Sequence, residues 1–226
     1  MFTQIIPGDV HVWWVVMDDL QAQSPVLLSF LSEDETAHAA QYRFEQDRNA
    51  YVTIRALLRI LLGRYLEGDG RSLRFDYNSF GKPYVRAPIA FNVAHTRQAG
   101  LLAFVLDAPV GGDSIGVDIE RLRPEIVTDE LASQVLSPLE FARYRASREK
   151  SQLFFDIWTR KEAYVKALGT GLSTPLPSLT VLDQPTVGQY ALYPLAINVL
   201  AHAAALAVKG KANTIRLYST SDAWPE

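Results

Sequence analysis

Between positions 10 and 17 the chain crowds Val10, Val12, Trp13, Trp14, Val15 and Val16 together, a β-branched and aromatic run that predicts a buried strand. Ser32-Glu33-Asp34-Glu35 has the form of a capping box, with Ser32 as N-cap and Glu35 at the third helical position, and predicts a helix to about position 44. A longer helix is predicted over about 46–66, where Leu57, Leu58, Leu61, Leu62 and Tyr65 recur at helical spacing before Gly68 and Gly70 end it. Strand-like stretches follow at 73–75, 91–94 and 101–106, and Gly81-Lys82-Pro83 between the first two is a turn signal.

A stretch rich in Pro, Gly and Asp at 107–114 is a candidate linker. Beyond it, Ile115-Gly116-Val117-Asp118-Ile119-Glu120 alternates with the period of a strand, which puts Ile115, Val117 and Ile119 on one side and Asp118 and Glu120 on the other. Ser137-Pro138-Leu139-Glu140 is a second capping box, with proline at the first helical position where its missing N–H is harmless. A helix over about 151–168 aligns Phe154, Trp158 and Val165 on one stripe, sets Glu162 at the edge of that stripe, and closes at Gly169 and Gly171. Further strands are predicted at 179–181, 203–208 and 214–218. Each half therefore reads strand, helices, strands, which implies two similar α+β modules.

Composition narrows this picture a little. The 226 residues suit one large domain or two of about a hundred residues each. A net charge of −3 argues against a general nucleic-acid binder, and the absence of cysteine excludes disulfides and thiolate metal sites. Met1-Phe2-Thr3-Gln4 lacks the basic start of a signal peptide, and the apolar runs are too short to span a bilayer. The expectation is a soluble, cytoplasmic protein with neither nucleic acid nor membrane as partner.

Candidate chemistry gathers in the second half. Asp118 and Glu120 on one strand face repel each other unless a cation lies between them, and a hard divalent ion such as Mg²⁺ prefers oxygen ligands. Glu162 and Lys166 stand one helical turn apart and add a third carboxylate and an ammonium, a set suited to a phosphate-bearing substrate. Each feature alone has a plainer explanation. Asp118 and Glu120 suit a solvated strand face about as well; Glu162 and Lys166 suit a surface pair; His95 suits a hydrogen-bonded histidine; Arg48, Arg55 and Arg59 suit a solvated helix face. The order of the segments decides between them.

In that order the chain carries Gly81-Lys82-Pro83-Tyr84, Phe91-Asn92-Val93-Ala94-His95-Thr96, Ile115-Gly116-Val117-Asp118-Ile119-Glu120, and a long segment containing Trp158-Thr159-Arg160-Lys161-Glu162-Ala163-Tyr164-Val165-Lys166-Ala167, followed by Gly171-Leu172-Ser173. It resembles the 4′-phosphopantetheinyl transferase superfamily, in particular the larger type that activates surfactin synthetase. Ala94 and Thr96 stand where serine often flanks the histidine. The stretch after Thr174 is only loosely similar.

The resemblance implies an enzyme that moves the phosphopantetheine arm of coenzyme A onto a serine of an apo acyl carrier protein or a peptidyl or aryl carrier domain, releasing adenosine 3′,5′-bisphosphate. It implies two α+β subdomains related by pseudo-twofold symmetry, over 1–110 and 111–226, with the metal site in the second, coenzyme A in the cleft between them and a monomeric chain. By resemblance Asp118, Glu120 and Glu162 are expected to bind Mg²⁺, or Mn²⁺ in its place. Glu162 is the expected general base and Lys166 the pyrophosphate contact. His95 is expected at the 3′-phosphate of coenzyme A, Lys82 with Pro83 near its adenine end, and Arg48 and Arg55 are weaker candidates for the same phosphate. Asp118 is counted with the coenzyme A site as well. Lys161 belongs to the motif but should leave the helix on a different bearing from Glu162. The other reading is a relative that binds coenzyme A or a carrier without catalysis, against which stands the full set Asp118, Glu120, Glu162 and Lys166.

Overall fold

The computed structural model describes residues 5–106, 108, 110 and 113–220. Strand β1 (Asp9–Val16) is followed by a short helix α1 (Ser24–Leu28), α2 (Glu33–Ala39) and the long α3 (Glu45–Tyr65). A small hairpin of β2 (Asp76–Tyr77) and β3 (Pro83–Tyr84) leads into β4 (Ile89–His95) and β5 (Ala99–Leu106). The second half runs β6 (Ile115–Arg121), α4 (Asp129–Val135), α5 (Pro138–Ala146), α6 (Lys150–Leu168), β7 (Thr186–Val187), β8 (Tyr190–Pro194), β9 (His202–Lys209) and β10 (Thr214–Ser219).

The strands form two main sheets, ordered β10-β1-β5-β4 and β6-β9-β8-β7. Within them β1-β5-β4 and β6-β9-β8 repeat one plan: a strand, then helices, then two strands of which the later inserts beside the first, every pairing antiparallel. The fold is therefore mixed α+β, built on a repeated unit. One strand breaks the segregation of the halves, since β10 pairs parallel with β1 in the first sheet.

Alternation along the strands builds the layers. Trp13 and Val15 of β1 face Leu57, Leu58 and Leu61 of α3, together with Phe91 and Phe104. Val10, Val12, Leu101 and Ala103 of the first sheet meet Ile115, Val117, Leu206 and Val208 of the second, so the sheets share a core. On the far side, Phe154, Phe155, Ile157, Ala163 and Ala167 of α6 pack on Ala203, Ala205 and Ala207 of β9. The order is α3, first sheet, second sheet, α6.

Both capping boxes form. The Ser32 amide donates to Glu35 at 3.0 Å and the Ser137 amide to Glu140 at 2.8 Å. The helix expected to reach about position 44 ends at Ala39, however. The strand expected at 179–181 is not one: the amides of Val181 and Leu182 donate to the Glu140 carboxylate at 2.7 and 3.1 Å instead of to a neighbouring strand. Nor is 73–75, where the Leu73 carbonyl accepts from the Arg59 guanidinium at 3.0 Å. The expected linker at 107–114 lies partly outside the described residues. Among the described residues no helix is long and apolar enough to cross a membrane.

Candidate active site

The site begins with how closely α6 rides on β6. A Cβ added to Gly116 would stand 2.1 Å from the Ala163 carbonyl oxygen and 2.4 Å from the Ala167 nitrogen, so only glycine lets the helix backbone lie on the strand. This contact sets the acidic face of β6 against the face of α6 that carries Glu162 and Lys166. Lys166 Nζ donates to Asp118 Oδ1 at 2.6 Å. Asp118 is only 4% exposed, and its second oxygen, Oδ2, is buried without a hydrogen-bond partner in the protein.

The three carboxylates feel one another. Burial raises the pKa of Asp118, although the Lys166 ammonium and the Ile119 amide favour its anion. Burial, then Asp118 and Glu162 as neighbouring negative charges, push Glu120 up to about 7 against Arg123 and Lys166. Glu162 is likewise raised, by burial and then Asp118, with Lys166 opposing. Three acids that discourage each other's ionisation, with one lysine among them, make a site that favours added positive charge. Among the described residues no three acidic or histidine side chains already converge as a metal-ligand set. Lys166 holds one of the Asp118 oxygens.

His95 closes β4 on the side towards this cluster. Its surface is open to solvent, yet protein atoms crowd the ring; that burial comes first in lowering its pKa, with the Lys166 charge adding to it and the Thr96 amide and Asp47 opposing. The remaining expected site residues are placed differently. Lys82 is buried, donates to the Ile115 carbonyl at 2.9 Å, and is pushed down to about 8 by burial against the pull of Asp113. It thus ties the 78–82 turn to the start of β6, while Asn78 Nδ2 donates to the Gly169 carbonyl at the end of α6 at 3.0 Å. Pro83, at the start of β3, is half-buried. Arg48 is half-exposed, with Glu45 at 3.9 Å. Arg55 is engaged by Glu35 and the Tyr77 hydroxyl and lies 4.3 Å from the Phe75 ring centroid.

Sequence reasoning missed several residues that hold this arrangement. Arg59 is no solvated helix residue: it is 2% exposed, shares Glu35 with Arg55 and donates to the carbonyls of Gly70 and Leu73. Asn92 Oδ1 accepts the Val117 amide at 2.9 Å, satisfying the outer edge of β6 from the first sheet; an amide side chain inside an otherwise apolar strand was the available signal. Lys161, whose different bearing was expected, is fully buried on Glu140 at 2.7 Å and donates to the carbonyls of Val135 and Leu176. It fixes α6 against α5.

Residues 114–211 match the family described as the 4′-phosphopantetheinyl transferase superfamily, a span that includes β6 and α6. The 4′-phosphopantetheinyl transferase HetI of a Nostoc species is 33% identical over 189 residues, which cover 80% of this chain and 77% of that one. The 4′-phosphopantetheinyl transferase Sfp of Bacillus subtilis is 28% identical over 165 residues, 71% of this chain and 70% of its own. The chain belongs to the 4′-phosphopantetheinyl transferase superfamily.

Proposed function

We propose that this chain transfers the 4′-phosphopantetheine arm of coenzyme A to a serine hydroxyl of apo carrier proteins, with Asp118, Glu120, Glu162 and Lys166 as its working residues. The transferase activity follows from the family. The observation that supports these residues as its site is Asp118: a buried carboxylate with one oxygen on Lys166 and the other without a partner, facing two further acids of raised pKa. The donors are all oxygen, which fits Mg²⁺ or Mn²⁺ held by Asp118, Glu120 and Glu162. When bound, such an ion supplies charge neutralisation on the pyrophosphate oxygens.

The protein's own groups account for the rest. The serine oxygen attacks the phosphorus that carries the pantetheine arm, and the bond from that phosphorus to the oxygen of the departing adenosine 3′,5′-bisphosphate breaks. Glu162 takes the serine proton, directly or through a water. Lys166 offers a mobile ammonium to the pyrophosphate, and His95 meets the 3′-phosphate as a hydrogen-bonding group. The units 1–110 and 111–226 serve as the two walls of the coenzyme A cleft, with Lys82 and Asn78 anchoring the 78–82 turn at the seam and Pro83 following it. Arg48, half-exposed and weakly paired, suits the 3′-phosphate better than Arg55, whose guanidinium is already engaged.

The test is intact-protein mass spectrometry of an apo carrier incubated with the chain and coenzyme A, in Mg²⁺ and in EDTA. A gain of one phosphopantetheine that needs both the carrier serine and the metal supports the proposal. Transfer undiminished in EDTA, or retained by an Asp118→Ala chain, refutes the assignment of the metal site.

A further inference from the structure

Lys166 stands where a metal would be welcome. Its ammonium is 2.6 Å from Asp118 Oδ1, and its side chain is 32% exposed where that of Asp118 is 6%. The α6 backbone beneath it cannot advance towards Asp118, because Ala163 and Ala167 already rest on Gly116. The partial exposure of the lysine side chain lets it change partner by rotation while the helix stays in place. Asp118 Oδ2 has no competing partner in the protein. The carboxylate thus divides its two oxygens between a cation built into the chain and a place for a second one.

We infer that Lys166 is a resident counter-cation of the metal site: it neutralises Asp118 until coenzyme A arrives, and then exchanges Asp118 for the pyrophosphate, so that divalent ion and coenzyme A bind in mutual dependence. This rests on the metal-site reading proposed above. An ammonium beside the site repels a divalent ion through space and competes with it for Asp118. Once the lysine has an anionic partner of its own, both penalties fall. By linkage the metal must then favour coenzyme A as much as coenzyme A favours the metal.

The experiment measures Mn²⁺ binding to the full chain, by the paramagnetic resonance signal of free Mn²⁺, with and without coenzyme A. Without coenzyme A, Lys166→Met should bind Mn²⁺ about tenfold or more tightly than the unaltered chain, while Lys166→Arg, which keeps the charge, should not. Coenzyme A should tighten Mn²⁺ binding to the unaltered chain about tenfold or more, and clearly less to Lys166→Met. A Lys166→Met chain that binds Mn²⁺ no more tightly than the unaltered one overturns the inference and leaves the metal site standing. If neither binds better than Asp118→Asn, the metal assignment falls and the inference with it. Should Lys166→Met not fold, Lys166→Gln retains a donor for Asp118 without the charge and serves in the same comparison.

Discussion

Replacing Gly116 by alanine adds one methyl group at the point where β6 and α6 touch. That carbon would lie 2.1 Å from one helix backbone atom and 2.4 Å from another, against roughly 3.4 Å for ordinary contact. Backbone atoms cannot rotate aside, so α6 must retreat by about 1 Å, and Glu162 and Lys166 retreat with it from Asp118 and Glu120. A misplacement of about 1 Å in a site that works by positioning costs about 100-fold in rate. Overpacking costs about 1–3 kcal/mol, which for a chain of this size lowers the melting temperature by about 2–12 °C. The assay is the initial rate of phosphopantetheine transfer to an apo carrier, with thermal unfolding of the same samples. Gly68→Ala is the control, since its Cβ would have only the Leu66 carbonyl oxygen nearby, at 3.8 Å, and it should change neither reading. Gly116→Ala retaining activity within threefold of the unaltered chain would show that the close approach does not set the site's geometry.

Three further outcomes are expected. Asp118→Ala and Glu162→Ala should each abolish transfer without lowering the melting temperature appreciably, because burial already disfavours both anions; a substantial rate in either variant at limiting Mg²⁺ removes that residue from the site. His95→Ala should raise the KM for coenzyme A with little effect when 3′-dephospho-coenzyme A is the donor, and an equal loss with both donors contradicts the 3′-phosphate role. His11, whose pKa burial and then Arg216 lower to about 4 against the pull of Asp9, should cost stability in acid. Between its unfolded value of 6.5 and about 4 the unfolded chain takes up a proton that the folded chain refuses, so stability falls with pH through that window by about 3 kcal/mol. The raised carboxylates act in the opposite sense, so the reading is the difference in denaturant midpoints between the unaltered chain and His11→Phe; parallel pH profiles refute it.

What could be read from the sequence was what local periodicity encodes. The alternation of 115–120 gives β6 its two faces, and the 3.6-residue stripe of Phe154, Trp158 and Val165 gives α6 its buried side; that Asp118, Glu120, Glu162 and Lys166 form one group rested on the resemblance carried by the ordered segments. Three-dimensional competition for hydrogen bonds could not be seen. Val181 looks like strand, but the Glu140 carboxylate takes its amide. Glu140 in turn looked like an ordinary cap and proved to be the buried partner of Lys161 as well. Strands β7 and β8 were missed because Thr186–Val187 is too short for a pattern and Tyr190–Pro194 ends on proline. For Arg55 the residue type suggested a phosphate contact, and its guanidinium is engaged by the buried Glu35, while Lys82, expected near the adenine end of coenzyme A, donates to the Ile115 carbonyl. Positive charge in a helix or turn does not tell which anion it meets.

The parallel pairing of β10 with β1 has a consequence for how the chain acquires its shape. Asp9 lies opposite Thr214 and Trp14 opposite Ser219, so β1 waits for a strand made about two hundred residues later before its outer edge is covered. Contacts so distant in sequence form late, because the loop they close is long. Until then β1 presents an unpaired and strongly apolar edge, the kind of surface that seeks other chains. The repeated unit in the second half has no such dependence, since β6, β9 and β8 all lie within the later residues. During synthesis the unit made second can therefore be completed first, and β10 then finishes the one that began earlier.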